Sequence, residues 1–98
     1  MIDASPSIAA LDRLLAIAAT DTGQARRVAN LLLAWANTQA YGGFDPTDLW
    51  AVSDPVRTDM LELLSLIAAE RHHATTYGHD DAFTALVHRW RPHLQQHS

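Results

Sequence analysis

The stretch from Gly42 to Trp50 carries the residues of this sequence that are best suited to contacting another molecule. Gly42 and Gly43 would let the backbone come close to a ligand, and Phe44 and Trp50 are residue types that anchor protein interfaces. Helix capping explains the same stretch as a connector, because glycine ends one helix and an Asp-Pro pair begins the next. Two interpretations stay open: a partner-binding loop, or a connector whose aromatic side chains close one end of the core.

Arginine is the second residue type that could bind a partner, since all seven basic residues of the chain are arginines. Arg26 and Arg27 follow a predicted helix N-terminus, where arginines can hold a phosphate. They lack a glycine-rich phosphate-binding loop, and ion pairs with neighbouring acids are the favoured explanation. Together with the aromatic loop they form one predicted partner-binding surface, which consists of Arg26, Arg27, Gly42, Gly43, Phe44, Asp45, Asp48 and Trp50.

Histidines are the candidate metal ligands, because neutral imidazoles bind zinc. Of these, His93 and His97 have a spacing of four but follow Pro92 in a polar tail. Adjacent His72 and His73 would point about 100° apart on a helix. We interpret the histidines as solvated or locally hydrogen-bonded side chains, and we predict neither a metal site nor a cofactor. The six histidines are His72, His73, His79, His88, His93 and His97.

Catalytic combinations of residues are missing from the sequence. There is no cysteine, which excludes thiol catalysis, disulfides and thiolate metal sites. No serine lies in a Gly-x-Ser-x-Gly sequence. The acid pairs Asp45/Asp48 and Asp80/Asp81 are explained as the acidic first turns of helices. The sequence therefore predicts a protein that is not an enzyme.

Length and composition narrow the class of protein further. Ninety-eight residues with 48% hydrophobic content suffice for one domain with one core. The net charge of −4 argues against non-specific binding to nucleic acid or to anionic membranes. We find no segment with the character of a transmembrane helix or a signal peptide, and so expect a cytoplasmic protein. We predict a single domain over residues 1–98, with an ordered core at about 6–91 and a frayed tail at 93–98.

Helices must position these residues, because apolar side chains recur at helical spacing and no segment alternates at period two. We predict an all-α fold, a compact bundle of four main helices plus one short helix after Gly43. Short connections make sequential helices pack antiparallel. A loop is predicted at 75–79, with Gly78 as the breaker. The main helices are predicted at residues 6–20, from the break at 20–23 to about 40, 55–72, and from about 80 to 91.

Three finer expectations concern individual polar residues. Asp21 with Gln24 three residues later resembles a capping box for the second helix. Asp59 is placed on the outer face of the third main helix, opposite its apolar stripe. Asn30 and Asn37 are seven residues apart, so they share one face of the second helix.

Four strings of the sequence resemble a family of small uncharacterised bacterial proteins of about this length, often encoded on plasmids or integrative elements. The resemblance runs from about Leu11 to Pro92, and the string that begins at Gly42 is the most distinctive. It implies an accessory protein of a mobile element and indicates no activity. The strings are DTGQxRRVA at 21–29, LLAWxN at 32–37, GGFDxTDLW at 42–50 and RWRP at 89–92.

Taken together, these patterns favour a small non-enzymatic interaction or accessory module that contacts a protein partner or a second copy of itself. The family resemblance implies that it belongs to a mobile genetic element. No membrane partner is expected. The alternative is a nucleic-acid-associated regulator, which the acidic net charge disfavours. Its contact residues would be Arg26, Arg27, Arg89 and Arg91.

Overall fold

This computed structural model describes residues 5–72 and 74–93. These ranges contain four α-helices and two 3-10 helices. A 3-10 helix, Pro46–Ala51, joins the second and third α-helices and is called the connector helix below. A second 3-10 helix, Ala74–Tyr77, precedes the last α-helix. No strand occurs in the described ranges, and the predicted all-α bundle with a short helix after Gly43 is confirmed. The α-helices are α1 (Ser5–Ala18), α2 (Gly23–Tyr41), α3 (Asp54–Glu70) and α4 (Asp80–Trp90).

The core lies where α1 packs against both α2 and α3, while the opposite side of α2 packs against α4. Apolar residues three and four apart give each helix one inward face. These faces merge into one cluster that also takes up residues of the connector region, such as Val52. The largest fully buried side chains are Leu11, Leu14, Val28, Leu32, Leu33, Met60 and Leu63.

The start of α2 corrects one sequence expectation. Thr22 occupies the N-cap position, and its hydroxyl oxygen accepts a hydrogen bond from the Ala25 N–H at 2.9 Å. The expected capping box of Asp21 and Gln24 is wrong, because the cap lies one residue later in the chain. The Gln24 side-chain oxygen instead accepts the Ser53 N–H at 2.7 Å and so ties the start of α2 to the start of α3.

Three predicted boundaries also differ from the structure. Helix α1 starts at Ser5 and ends at Ala18, instead of spanning 6–20. Helix α3 ends at Glu70 instead of residue 72, because Arg71 adopts the left-handed conformation (φ 57°) that terminates a helix. The predicted loop at 75–79 is largely helical, since the second 3-10 helix covers its first part. The predicted frayed tail extends beyond the described residues.

Asp59 is buried rather than on the outer face of α3, with 8% of its surface exposed. Arg13 of α1 donates two hydrogen bonds to it, from Nε to Oδ2 at 2.9 Å and from Nη2 to Oδ1 at 2.8 Å. This paired arrangement raises the pKa of Arg13. A carboxylate can lie between two helices because a guanidinium satisfies both of its oxygens. The spacing of apolar residues in the sequence cannot predict such a pair.

Candidate functional site

The connector helix begins and ends with local capping interactions. Gly42 ends α2 with φ 93°, a conformation that favours glycine, and its N–H donates to the Thr38 carbonyl at 2.9 Å. Asp45 Oδ1 accepts hydrogen bonds from the N–H and the hydroxyl of Thr47, at 2.9 and 2.8 Å. These bonds, the backbone one first, lower the pKa of Asp45. The capping interpretation of Gly42 and Asp45 therefore describes their geometry.

Two arginines from the flanking helices hold the connector helix in place. Arg27 of α2 forms an ion pair with Asp48, with Nη1 and Oδ1 2.8 Å apart. Arg57 of α3 donates from Nε to the Leu49 carbonyl at 2.9 Å and from Nη2 to the Val52 carbonyl at 3.1 Å. Hydrogen bonds to charged groups are stronger than neutral ones. Arg27 and Arg57 therefore anchor the connector helix firmly to both flanking helices.

Trp50 stands apart from the other two tryptophans. Trp35 donates its indole N–H to the His72 carbonyl at 3.1 Å, and Trp90 donates to the Ala18 carbonyl at 2.8 Å; both are half-buried against the core. Trp50 is 80% exposed. The bonds that hold the connector helix thus fix a segment whose largest side chain points into solvent.

The other members of the predicted surface have structural contacts. Phe44 is half-buried and packs against the core, so it closes the core end, as in the connector interpretation. Arg27 and Asp48 pair with each other. Gly43 is exposed within the turn that follows Gly42. Of the predicted partner-binding residues that carry a long side chain, Trp50 and Arg26 are left exposed.

The four arginines of the nucleic-acid alternative do not share one function in the structure. Arg26 is exposed on α2, about 100° around the helix from Arg27, which is paired with the connector helix. Arg89 donates from Nε to the Thr20 carbonyl at 3.2 Å. Arg91 donates its hydrogen bonds to groups within the protein. Three of the four guanidinium groups are therefore engaged internally.

Helix α2 is sharply kinked at Asn37, which has extended backbone angles (φ −168°, ψ 95°) inside the helix. Asn37 Oδ1 accepts the Ala40 N–H at 3.1 Å, so the side chain caps a short last turn that follows it. The sequence predicted Asn30 and Asn37 on one face of a continuous helix, whereas the structure interrupts the helix at Asn37. Asparagine is itself a favoured helix N-cap residue.

The contacts of Arg91 show that the last turn of α2 departs from the path of a straight helix. Its Nε donates to the Tyr41 carbonyl at 2.9 Å and its Nη2 donates to Asn30 Oδ1 at 2.8 Å. In a straight helix residues 30 and 41 would lie about 16 Å apart along the axis, too far for one guanidinium to reach both. The kink folds the last turn back toward the end of α4, and Arg91 holds it there.

A cleft of about 400 Å³ lies between this last turn and α4. Its floor is apolar and includes the buried side chains of Phe83 and Val87. Its rim is polar and exposed, because Asp80, Thr84 and His88 follow one another at a spacing of four along α4. The lining residues are Ala36, Asn37, Tyr41, Ala74, Asp80, Phe83, Thr84, Val87 and His88.

Comparison with known protein families assigns most of the chain to one family. Residues 8–91 match the profile of DUF7673, which is described as a family of unknown function. The chain belongs to this family. The DUF7673 match starts in α1 and ends at Arg91, so it includes the connector helix, the kink and the cleft. No curated protein and no solved structure shows significant similarity to the chain. The expectation of an uncharacterised family is confirmed.

Metal-binding residues do not come together in the part of this DUF7673 chain that the structure describes. No group of three or more histidines, cysteines or acids is found there. His79 Nε2 lies 3.1 Å from Asp12 Oδ1 and links the start of α4 to α1. His73 and His97 fall outside the described residues.

Among the described helices, none combines the length and the apolar character that crossing a membrane requires.

The roles of Arg57 and Arg91 as clamps and of Asn37 as a helix breaker were not predicted from the sequence. Arg57 and Arg91 bond to carbonyl groups of other segments, and the residue pattern does not indicate which carbonyl groups lie nearby. For Asn37 a signal existed, since asparagine is a favoured N-cap residue, but the apolar stripe of α2 favoured a continuous helix.

Proposed function

We propose that this chain is a non-enzymatic protein-interaction module that inserts Trp50 into an apolar pocket of a partner protein. The observation that carries the proposal is the 80% exposure of Trp50 on a segment anchored by Arg27 and Arg57. Tryptophan is the residue type most enriched at interface positions that dominate binding energy. An indole that already stands on a fixed backbone loses little conformational entropy when it binds.

An acid of the connector region defines the partner's chemistry. Asp45 caps the connector helix and is exposed. Asp54, at the start of α3, is also exposed, but its Oδ1 pairs with Arg57 Nη1 at 2.6 Å, so Asp45 is the carboxylate that bears on the partner. The bonds from Thr47 keep the pKa of Asp45 low, so this carboxylate stays charged at neutral pH. A matching pocket is apolar at its base for the indole ring and basic at its rim.

A separate protein fits this surface better than a second copy of the chain does. The large hydrophobic side chains exposed among the described residues are Trp50 and Leu61, the latter at 48%. A stable interface covers about 800 Å² on each partner, whereas a tryptophan and half a leucine supply a few hundred. A pocket that encloses one aromatic anchor needs less area, because a few residues carry most of the binding energy.

The biological setting belongs to the same proposal. The strings shared with small bacterial proteins of plasmids and integrative elements support an accessory role for a bacterial mobile element, exerted in the cytoplasm. The partner is then a cytoplasmic protein of the host or of the element. This part depends on the resemblance of the sequence and is independent of the exposure of Trp50.

The test compares capture of partners by the wild type and by Trp50→Ala, each immobilised at equal density in lysate of the source organism. Proteins retained by the wild type and lost with Trp50→Ala are then purified, and their affinity is measured by calorimetry. We expect Trp50→Ala to weaken the purified complex by about 30-fold or more, as a hot-spot residue does. The loss should come without a change in helicity.

Leu61→Ala is the matched control, since it removes another exposed apolar side chain outside the connector helix. It should change the affinity by less than about threefold. The proposal is wrong if Trp50→Ala and Leu61→Ala retain the same proteins with equal affinity. It is also wrong if sedimentation shows a wild-type dimer that Trp50→Ala dissociates, because Trp50 then contacts a second copy.

A further inference from the structure

The cleft between the last turn of α2 and helix α4 is a second candidate site, distinct from Trp50. We infer that this cleft binds a small organic amine with an aromatic body. The inference rests on three observations: the shape of the cleft, the chemistry of its lining, and the way in which Arg91 fixes its wall.

The shape of the cleft suits a small molecule. Its volume of about 400 Å³ falls in the range of ligand pockets, which is about 300–1,000 Å³. The side chains of Phe83 and Tyr41 give it aromatic surface, and Ala36 and Ala74 leave room between the two helices. Aromatic faces of this kind pack well against a flat ring.

The rim of the cleft selects for positive charge. Among the lining residues, Asp80 is the one with a full formal charge at neutral pH when histidines are neutral. A carboxylate at the edge of an apolar cleft forms a charge-assisted hydrogen bond with an ammonium group. Farther along the rim, Thr84 and His88 add polar groups on the same side of α4. An amine is thus favoured over a neutral alcohol and over a carboxylate.

The wall of the cleft is held by specific hydrogen bonds. Asn37 breaks α2 and caps the turn that follows, and Arg91 fixes that turn through the Tyr41 carbonyl. A straight α2 would carry Tyr41 away from α4. The kink therefore creates the cleft, and a broken helix with its own cap and its own clamp costs stability that a purely structural helix would keep.

The experiment titrates the full chain with three probes of similar size and different charge: phenethylamine, 2-phenylethanol and phenylacetate. Binding is followed by amide chemical shifts in two-dimensional NMR. We expect shifts at residues 36–41 and 80–88, with a Kd of about 1 mM or below for phenethylamine. The alcohol should bind about tenfold more weakly, and phenylacetate more weakly still.

Asp80→Asn tests the charge selection, and Asp81→Asn is its matched control, since Asp81 lies beside it in the same first turn but does not line the cleft. Asp80→Asn should make the amine and the alcohol bind equally, and Asp81→Asn should preserve the preference. Thr84→Phe, which places a ring on the rim, should abolish binding of all three probes. Trp50→Ala should leave every titration unchanged, so failure here is separate from failure of the proposed function.

The inference is overturned if the three probes bind with equal affinity, or if none of them shifts the residues of the cleft. It is overturned as well if Asp81→Asn reduces the preference for the amine as much as Asp80→Asn does.

Discussion

The two sides of the helical bundle are built differently. Where α1 meets α3, leucines and Met60 are fully buried, and Arg13 and Asp59 pair through two direct bonds. Where α2 meets α4, the last turn of α2 is kinked and a cleft of about 400 Å³ separates it from α4. Arg91 joins that side through the carbonyl group of Tyr41.

A chain of this size can thus combine a stable fold with a cleft and an exposed aromatic side chain. Close packing of α1 on α3 supplies the stability, because buried apolar area is the main favourable contribution to folding. Helix α4 packs less extensively on α2 than α1 does on α3, and the connector helix contributes no fully buried side chain. They are therefore free to retain a cleft and an exposed tryptophan.

The largest expected effect is the loss of a core side chain on the close-packed side. Leu63→Ala should lower the free energy of unfolding by about 3 kcal/mol, because it leaves a cavity between tightly packed helices. Val87→Ala, at the floor of the cleft, should lower it by about 1 kcal/mol, since that side chain already borders empty space. Urea denaturation measures both values.

Val56→Ala is the matched control for this prediction, because it makes the same chemical change in the core away from the cleft. It should cost more than Val87→Ala. Equal costs for the two valine substitutions would show that the cleft side is packed as tightly as the rest.

The ion pair between α1 and α3 should respond unequally to the removal of its two members. Asp59→Ala lets the exposed Arg13 turn into solvent and should lower the free energy of unfolding by about 1 kcal/mol. Arg13→Ala should lower it by more, since it leaves a buried carboxylate without its partner. The denaturation midpoints of the two variants give the order, and the reverse order would contradict the burial of Asp59.

On the open side, Arg91→Ala should release the last turn of α2 with a smaller effect on global stability. Hydrogen exchange of the amides at 38–43 should become about tenfold faster, which corresponds to about 1.4 kcal/mol of local protection. Arg91→Lys should behave in the same way, because an ammonium lacks the planar fork that reaches both Asn30 and Tyr41.

Arg89→Ala is the control for the release of this turn, because its bonds go to the loop after α1. It should leave exchange at 38–43 unchanged. Equal acceleration by Arg89→Ala would mean that any loss of charge near α4 loosens the turn.

The smallest effect at neutral pH is expected for Tyr77→Phe. The Tyr77 ring packs against Trp35 with centroids 5.7 Å apart, and its buried hydroxyl has no hydrogen-bond partner among the described residues. Removal of that hydroxyl should change the free energy of unfolding by less than about 0.5 kcal/mol.

Alkaline pH should separate this variant from the wild type. Burial, followed by the charge of Glu70, raises the pKa of Tyr77. The folded state therefore keeps its proton where the unfolded state, with a pKa of about 10, has lost it. Stability falls as pH rises from about 10 through the folded pKa. Tyr77→Phe should lack this part of the decline in a denaturation series from pH 8 to 11.5, and parallel curves would exclude the contribution of Tyr77.

Local sequence signals account for the existence of each helix and for its approximate extent. The stripes of leucine and valine, the Asp-Pro start of the connector helix and the glycine at Gly42 act within one or two turns of the chain. Such interactions are local, and a sequence pattern records them directly. The buried face of α4, with Phe83, Leu86 and Val87, was readable for the same reason.

Contacts between distant segments of the chain determine the exposure of Trp50, the burial of Asp59 and the formation of the cleft. Arg13 and Asp59 are 46 residues apart, and Arg91 and Asn30 are 61 apart. Whether a carboxylate is buried or an indole is exposed depends on which distant segment covers it, and no local pattern contains that information. The same aromatic loop therefore supplied one side chain to the core, Phe44, and presented another, Trp50, to solvent.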